Sequence, residues 1–187
     1  MSKMRTKTSR SDGDRDFHAL HPVLHLKRGR GGRACPPIQV KPANLIPVCC
    51  QKAKNCFVCD PNNQLGLGLS FQRLVDGSVE AWFPCHSLFA GYPGMLHGGI
   101  ICTLLDGAMT NCLFAHGRAA VTVDLSVRFR QPVALRRPAA VRAWLKEQGT
   151  AIHRVAAELT QDGQTVATAT ARFVEKRIME GLQQQNN

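Results

Sequence analysis

The sequence predicts an α+β domain in which an antiparallel sheet wraps around one central helix. Two observations carry this. Apolar residues recur at helical spacing at Ile101, Leu104, Leu105, Ala108, Cys112 and Leu113. Elsewhere they alternate with polar residues in runs bounded by turn dipeptides, the pattern of half-buried strands. One helix among many antiparallel strands gives a sheet that curls around the helix.

Each element follows from its local pattern. Leu65, Leu67, Leu69 and Phe71 alternate, Asp76-Gly77 interrupts, and Val79, Ala81 and Phe83 alternate again, which predicts a β-hairpin. A loop rich in Pro and Gly spans 84–94. The helix then begins near Gly98 and ends before Gly117, a residue suited to a C-terminal cap. Val121, Val123, Leu125, Val127 and Phe129 alternate with Thr122, Asp124, Ser126, Arg128 and Arg130, so a long strand is expected with the first set on its buried face. Pro132 and Pro138 punctuate the next link. Strands are expected over 141–146, 152–159 and 164–174, separated by Gly149 and by Asp162-Gly163.

The chemistry concentrates at the start and middle of the helix. Gly98 and Gly99 leave backbone N–H groups unshielded at the positive end of the helix dipole, where a carbonyl oxygen or developing oxyanion is favoured. Asp106 falls mid-helix beside the apolar stripe. Aspartate is a poor interior helix residue and expensive to bury alone, so it needs either a partner or a chemical role. Close helix packing with a satisfied carboxylate is the structural alternative.

Composition bounds the rest. A chain of 187 residues, 44% of them hydrophobic, holds enough apolar surface for a substantial core, and its length fits one domain plus a tail. No uninterrupted apolar run of about 18 residues exists, so no membrane span is expected. The basic start lacks an apolar core segment, and Asp12, Asp14 and Asp16 do not suit a transit peptide, so a cytoplasmic location is expected. Residues 1–40 carry nine Lys or Arg against three Asp, and include the run Gly29-Arg30-Gly31-Gly32-Arg33. The expected organisation is a basic, disordered tail over 1–48, a folded domain over 49–175 and a polar C-terminal tail over 176–187. The basic tail is either a solvated appendage or a non-specific contact for nucleic acid.

Eight cysteines without a secretory signal point away from disulfides. Cys56-x-x-Cys59 has the spacing of half a structural zinc site, with Cys85 and His86, or Cys49 and Cys50, as the remaining ligands; reduced free thiols are the alternative.

Several stretches together resemble the acyl-CoA thioesterases of the phenylacetyl-CoA thioesterase (PaaI-like) type, which have the hotdog fold. They are Cys56-Phe57-Val58-Cys59 with Gly66-Leu67-Gly68-Leu69, then Gly91-Tyr92-Pro93-Gly94, then His97-Gly98-Gly99 followed by Asp106, and finally the run 121–133. The resemblance covers roughly residues 55–175. It implies hydrolysis of an acyl- or aryl-CoA thioester to the free acid and CoA, with no cofactor required. Asp106 would be general base or nucleophile, and Gly98 or Gly99 would polarise the carbonyl. His97 would shape that turn or bond near the carbonyl, and Thr122 would orient the water or Asp106, unless both are ordinary structural residues. A homodimer or homotetramer is implied. Two positions depart from the pattern: Gly91, where relatives carry a helper side chain, and Gly107, where many carry a second acid. That leaves Asp124, on the expected face of Thr122, as a secondary acid, or else as the surface partner of Arg128 or another cation. Arg128, Arg130 and Arg136, with Arg137, are candidates for the CoA phosphates or an exposed basic face. Tyr92 and Met95, with Phe83, Phe89, Leu96 and Met109, are candidates for an acyl pocket or the core. The alternative function is a non-catalytic acyl-CoA-binding hotdog regulator whose basic tail contacts nucleic acid.

Overall fold

The computed structural model describes residues 46–47 and 55–175. Most of the expected basic tail, Cys35, Cys49, Cys50 and the segment 176–187 lie outside the described residues.

The chain runs β1 (Ile46–Pro47), β2 (Gln72–Arg73), β3 (Val79–Phe83), a short 3-10 turn (Ser87–Phe89), α1 (Gly98–Ala115), β4 (Ala120–Phe129), β5 (Ala139–Gln148), β6 (Ile152–Gln161) and β7 (Gln164–Glu175). The strands make one antiparallel sheet in the order β1-β2-β3-β5-β6-β7-β4, so β4, which follows the helix, closes the far edge. Ile46–Pro47, inside the segment expected to be tail, pair with β2.

The centre of the sheet is lined with alanine. Ala143, Ala157 and Ala169 face each other across β5, β6 and β7, with Ala167 and Ala171 beside them on β7. These small residues form a trough that lets a helix approach closely. Leu104, Leu105, Met109 and Leu113 of α1 fill it, with Phe71, Phe83 and Phe173 fully buried around them. Interlocking of large on small in this way gives crystal-like packing density. The predicted apolar stripe Ile101, Leu104, Leu105, Ala108, Cys112, Leu113 is buried throughout. Among the described helices α1 is long and apolar enough to cross a bilayer, but its apolar face is spent on the sheet.

The helix ends match the expected signals. Gly117 takes a positive φ of 74°. Its N–H donates to Phe114 O at 2.9 Å and that of Arg118 to Leu113 O at 2.9 Å, the paired bonds of a Schellman cap. Asp162 and Gly163 both adopt positive φ, as a two-residue hairpin between β6 and β7 requires.

Two expectations are corrected. The predicted first hairpin forms only at its base, where Gln72 and Arg73 pair with Glu80 and Val79. The preceding residues turn instead onto a neighbouring loop, Leu67 N–H donating to Phe57 O at 2.7 Å and Leu69 N–H to Val58 O at 2.8 Å. The free side of β3 is meanwhile taken by β5. The second correction is in β4. The ladder with β7 shifts between Thr122 and Asp124, so Val123 is an extra residue. A bulge of this kind flips the alternation. Thr122 therefore shares a side with Leu125 and Val127, while Val121, Val123 and Asp124 are exposed.

Candidate active site

The loop ahead of α1 is tied by backbone bonds to the loop between β4 and β5 and to the 3-10 turn. Leu96 N–H donates to Val133 O and His97 N–H to Phe89 O, each at 2.9 Å. The facing loop is held in turn by the side chain of Gln161, which accepts from Ala134 N–H at 2.8 Å and donates to Ala134 O at 2.9 Å and Arg137 O at 3.0 Å.

His97 is the N-cap of α1. Its extended backbone starts the helix, its carbonyl accepts from Ile100 and Ile101, and its Nδ1 accepts from Gly99 N–H at 2.9 Å. With His97 N–H on Phe89 O, the bonds from Gly99 and Ile100 use three of the four donors that a helix start leaves open. The N–H of Gly98 is the fourth, and it has no partner among the described residues. The ring of Phe129 lies beside it, 3.7 Å from where a Cβ on Gly98 would sit. The pair of glycines therefore presents one free donor, and it belongs to Gly98.

Asp106 is half-buried on α1. Thr122 Oγ1 donates to Asp106 Oδ1 at 2.8 Å, which the bulge in β4 makes possible. The second carboxylate oxygen has no partner among the described residues. One oxygen is thus oriented and the other is left to act.

Both unexpected glycines are accounted for by packing. A Cβ on Gly91 would stand 3.0 Å from His97 Cα and 3.3 Å from its ring, so the cap residue occupies that space. A Cβ on Gly107 would fall 2.6 Å from Val58 Cγ1. The residue between Cys56 and Cys59 that packs on the helix thus excludes any side chain at 107. Asp124 does not join Asp106: it sits on the other face of β4 and accepts from Arg172 Nε at 3.1 Å.

The remaining candidates are dispersed. Arg128, Arg130 and Arg136 are exposed. Arg136 is held at a positive φ of 62°, and its N–H donates to Cys85 O at 2.9 Å. Arg137 pairs with Asp162. Tyr92 is exposed and Met95 half-buried, whereas Phe83, Leu96 and Met109 belong to the core, with Phe89 packed on Phe83 at 5.6 Å between ring centres. Among the described residues no three His, Cys, Asp or Glu side chains converge as a metal site. Cys56, Cys59, Cys85 and His86 therefore do not form a cluster of three or more. Cys85 is fully buried, and burial pushes its thiol up to about 11. His86 instead caps the 3-10 turn, accepting from Leu88 N–H at 3.3 Å.

Sequence reasoning did not anticipate the bulge at Val123, the buried amide of Gln161 or a buried histidine, His153. An inserted residue leaves no mark in an alternating pattern when both faces hold valines. Gln161 and His153 sit in strands where a polar residue reads as solvent-facing.

The Thioesterase superfamily model matches residues 93–168, from the loop ahead of α1 into β7. Among characterised proteins, the chain is similar to acyl-coenzyme A thioesterase THEM4 of Mus musculus, 30% identical over 114 residues, which make up 58% of this chain and 49% of that protein. The chain spans half or less of the length of the curated relatives it matches. It is similar in structure to a phenylacetic acid degradation-related protein of Ralstonia eutropha JMP134, at 30% identity and a TM-score of 0.53, covering 58% of this chain and 85% of that one. It is also similar to smu.793 of Streptococcus mutans UA159 bound to acetyl-CoA, at 25% identity and a TM-score of 0.52, covering 54% and 82%. With one α-helix among the described residues held in a curled antiparallel sheet, the chain belongs to the thioesterase superfamily and has the hotdog fold.

Proposed function

We propose that this protein hydrolyses an acyl- or aryl-CoA thioester to the free acid and CoA, with Asp106 acting on the attacking water and the N–H of Gly98 polarising the carbonyl. The observation that carries this is the bond from Thr122 Oγ1 to Asp106 Oδ1 at 2.8 Å. It fixes the carboxylate and leaves its other oxygen to take a proton from water, the geometry a general base needs. As the tetrahedral intermediate forms, its oxyanion gains a hydrogen bond from an N–H at the positive end of α1. The thiolate of CoA then leaves. His97 serves by shape: it ties up Gly99 and opens the turn.

Gly98 and Asp106 cannot reach one carbonyl on the same helix. They are eight residues apart, which at the helical rise is about 12 Å along the axis. A second copy running antiparallel brings one chain's Gly98 to the other's Asp106. The free edge of β4, with Val121, Val123 and Phe129 exposed, is the side on which such a copy fits. A homodimer is therefore part of this reading. Exposed Arg128, Arg130 and Arg136 supply cations for the phosphates of CoA, and Tyr92 and Met95 flank the turn where the acyl group would enter.

The test follows thiol release from butanoyl-, decanoyl-, palmitoyl- and phenylacetyl-CoA. Turnover of at least one is expected, falling about 100- to 10,000-fold in Asp106→Asn. Gly98→Pro removes the proposed donor at the first helical position, where proline is tolerated, and should cost about 100- to 1,000-fold with the helix intact. Absence of turnover on all four, or full activity in Asp106→Asn, refutes the reading.

A further inference from the structure

The bond between Thr122 and Asp106 spans the turn from α1 into β4, and it is only as constant as the register of β4 on β7. That register is vulnerable. The bulge at Val123 follows directly, and a slip of one residue would turn Thr122 to the opposite face. Ahead of the bulge only Ala120, Val121 and Thr122 pair with β7, opposite Glu175, Val174 and Phe173.

Three side chains converge at that end. Arg118 Nη1 donates to Glu175 Oε1 at 2.9 Å, and His153 Nε2 lies 3.2 Å from the same oxygen. A carboxylate only accepts, so Nε2 carries the proton. His153 is fully buried, and its Nδ1 has no partner among the described residues. An orphaned ring nitrogen in the core costs stability. Its position is nonetheless specific: His153 stands opposite Phe173, which stands opposite Thr122, so one row runs His153, Phe173, Thr122 across three strands. Arg118 also belongs to the helix, because its N–H closes the Schellman cap on Leu113.

We propose that Arg118, Glu175 and His153 form a positioning clasp that locks the start of β4 in register and so keeps Thr122 on Asp106. The clasp rests on the thioesterase reading for its consequence in catalysis, but its mechanics do not. Glu175 joins three elements through one oxygen: β7, on which it sits; the exit of α1, through Arg118; and β6, through His153. Loss of the carboxylate charge frees the α1 exit and lets the three residues ahead of the bulge shift together.

Full-length Glu175→Gln and Arg118→Ala are the variants to compare. Arg118 is 40% exposed, so its truncation leaves the core intact. Amide hydrogen exchange should quicken at least about tenfold at Val121, Thr122 and Val123 and stay unchanged in β5. On the acyl-CoA turned over fastest, kcat should fall about tenfold with KM within about twofold, as expected when a catalytic group is misplaced rather than binding lost. Either variant combined with Thr122→Ala should be no slower than Thr122→Ala alone, and Arg118→Lys should recover most of kcat. Unchanged exchange at 121–123, or losses that multiply with Thr122→Ala, overturn the clasp. If the natural chain turns over no thioester, the thioesterase reading fails and the exchange data alone decide the clasp.

Discussion

At the scale of single residues, the site is shaped as much by absent side chains as by present ones. Gly107 stands next to Asp106 without a side chain because Val58 fills the place of its Cβ. Alanine there would gain up to about 1 kcal/mol of helix propensity. It would also press a rigid β-branched side chain at 2.6 Å, and overpacking of that kind costs about 1–3 kcal/mol. The net expectation for Gly107→Ala is a loss of about 1 kcal/mol in denaturant unfolding. Adding Val58→Ala should remove that penalty, leaving the double variant no less stable than Val58→Ala alone. A Gly107→Ala that stabilises the protein by itself would show that the loop gives way freely. Asp106 and the His97-Gly98-Gly99 turn were legible from residue types and spacing. Which glycine offers the donor was not, because that depends on His97 turning its ring back onto Gly99.

At the scale of elements, most of the fold could be read because alternation and helical spacing report burial directly. The failures occurred where burial and pairing part company. Residues 65–71 alternate like a strand, yet their backbone bonds go to Phe57 and Val58 rather than to β3. In β4 the valines at 121 and 123 imply one buried face, but the bulge exposes both and turns Thr122 inward. Cys85 and His86, adjacent in the chain, part in the fold, the first in the core and the second on the surface. Gln161 shows what an isolated polar residue in a strand can support. Its amide satisfies both backbone groups of Ala134 and the carbonyl of Arg137, and that loop pairs with the residues leading into the Gly98 turn. Gln161→Leu would leave those groups short of partners at about 1–3 kcal/mol each where they stay dry. A total loss of about 3 kcal/mol is expected, with kcat falling further than that of a surface control because the turn loosens. Urea unfolding and thiol release measure the two, and a neutral Gln161→Leu would mean that water replaces the amide.

At the scale of the whole molecule, the core and the site depend on different parts of the chain. The core binds two thiols, Cys85 and Cys112, that burial raises from 9.0 to about 11. Their neutral form is favoured in the folded state, so the unfolded chain loses these protons first. Stability should fall as pH rises from about 9 through 11, by up to about 2 kcal/mol per thiol, and Cys85→Ala with Cys112→Ala should flatten the decline. The proposed mechanism makes a stronger demand, since it needs Gly98 and Asp106 at one carbonyl and the span of about 12 Å between them cannot be closed within one chain. This can be tested by mixing two inactive proteins. In a dimer of one Gly98→Pro chain and one Asp106→Asn chain, the first site combines both lesions. The second combines the intact Gly98 of one chain with the intact Asp106 of the other. Co-refolding the two variants in equal amounts gives half heterodimers with one working site in two, so about a quarter of natural activity should return. If donor and base served from the same chain, every site would carry one lesion and the mixture would remain as inactive as its parts.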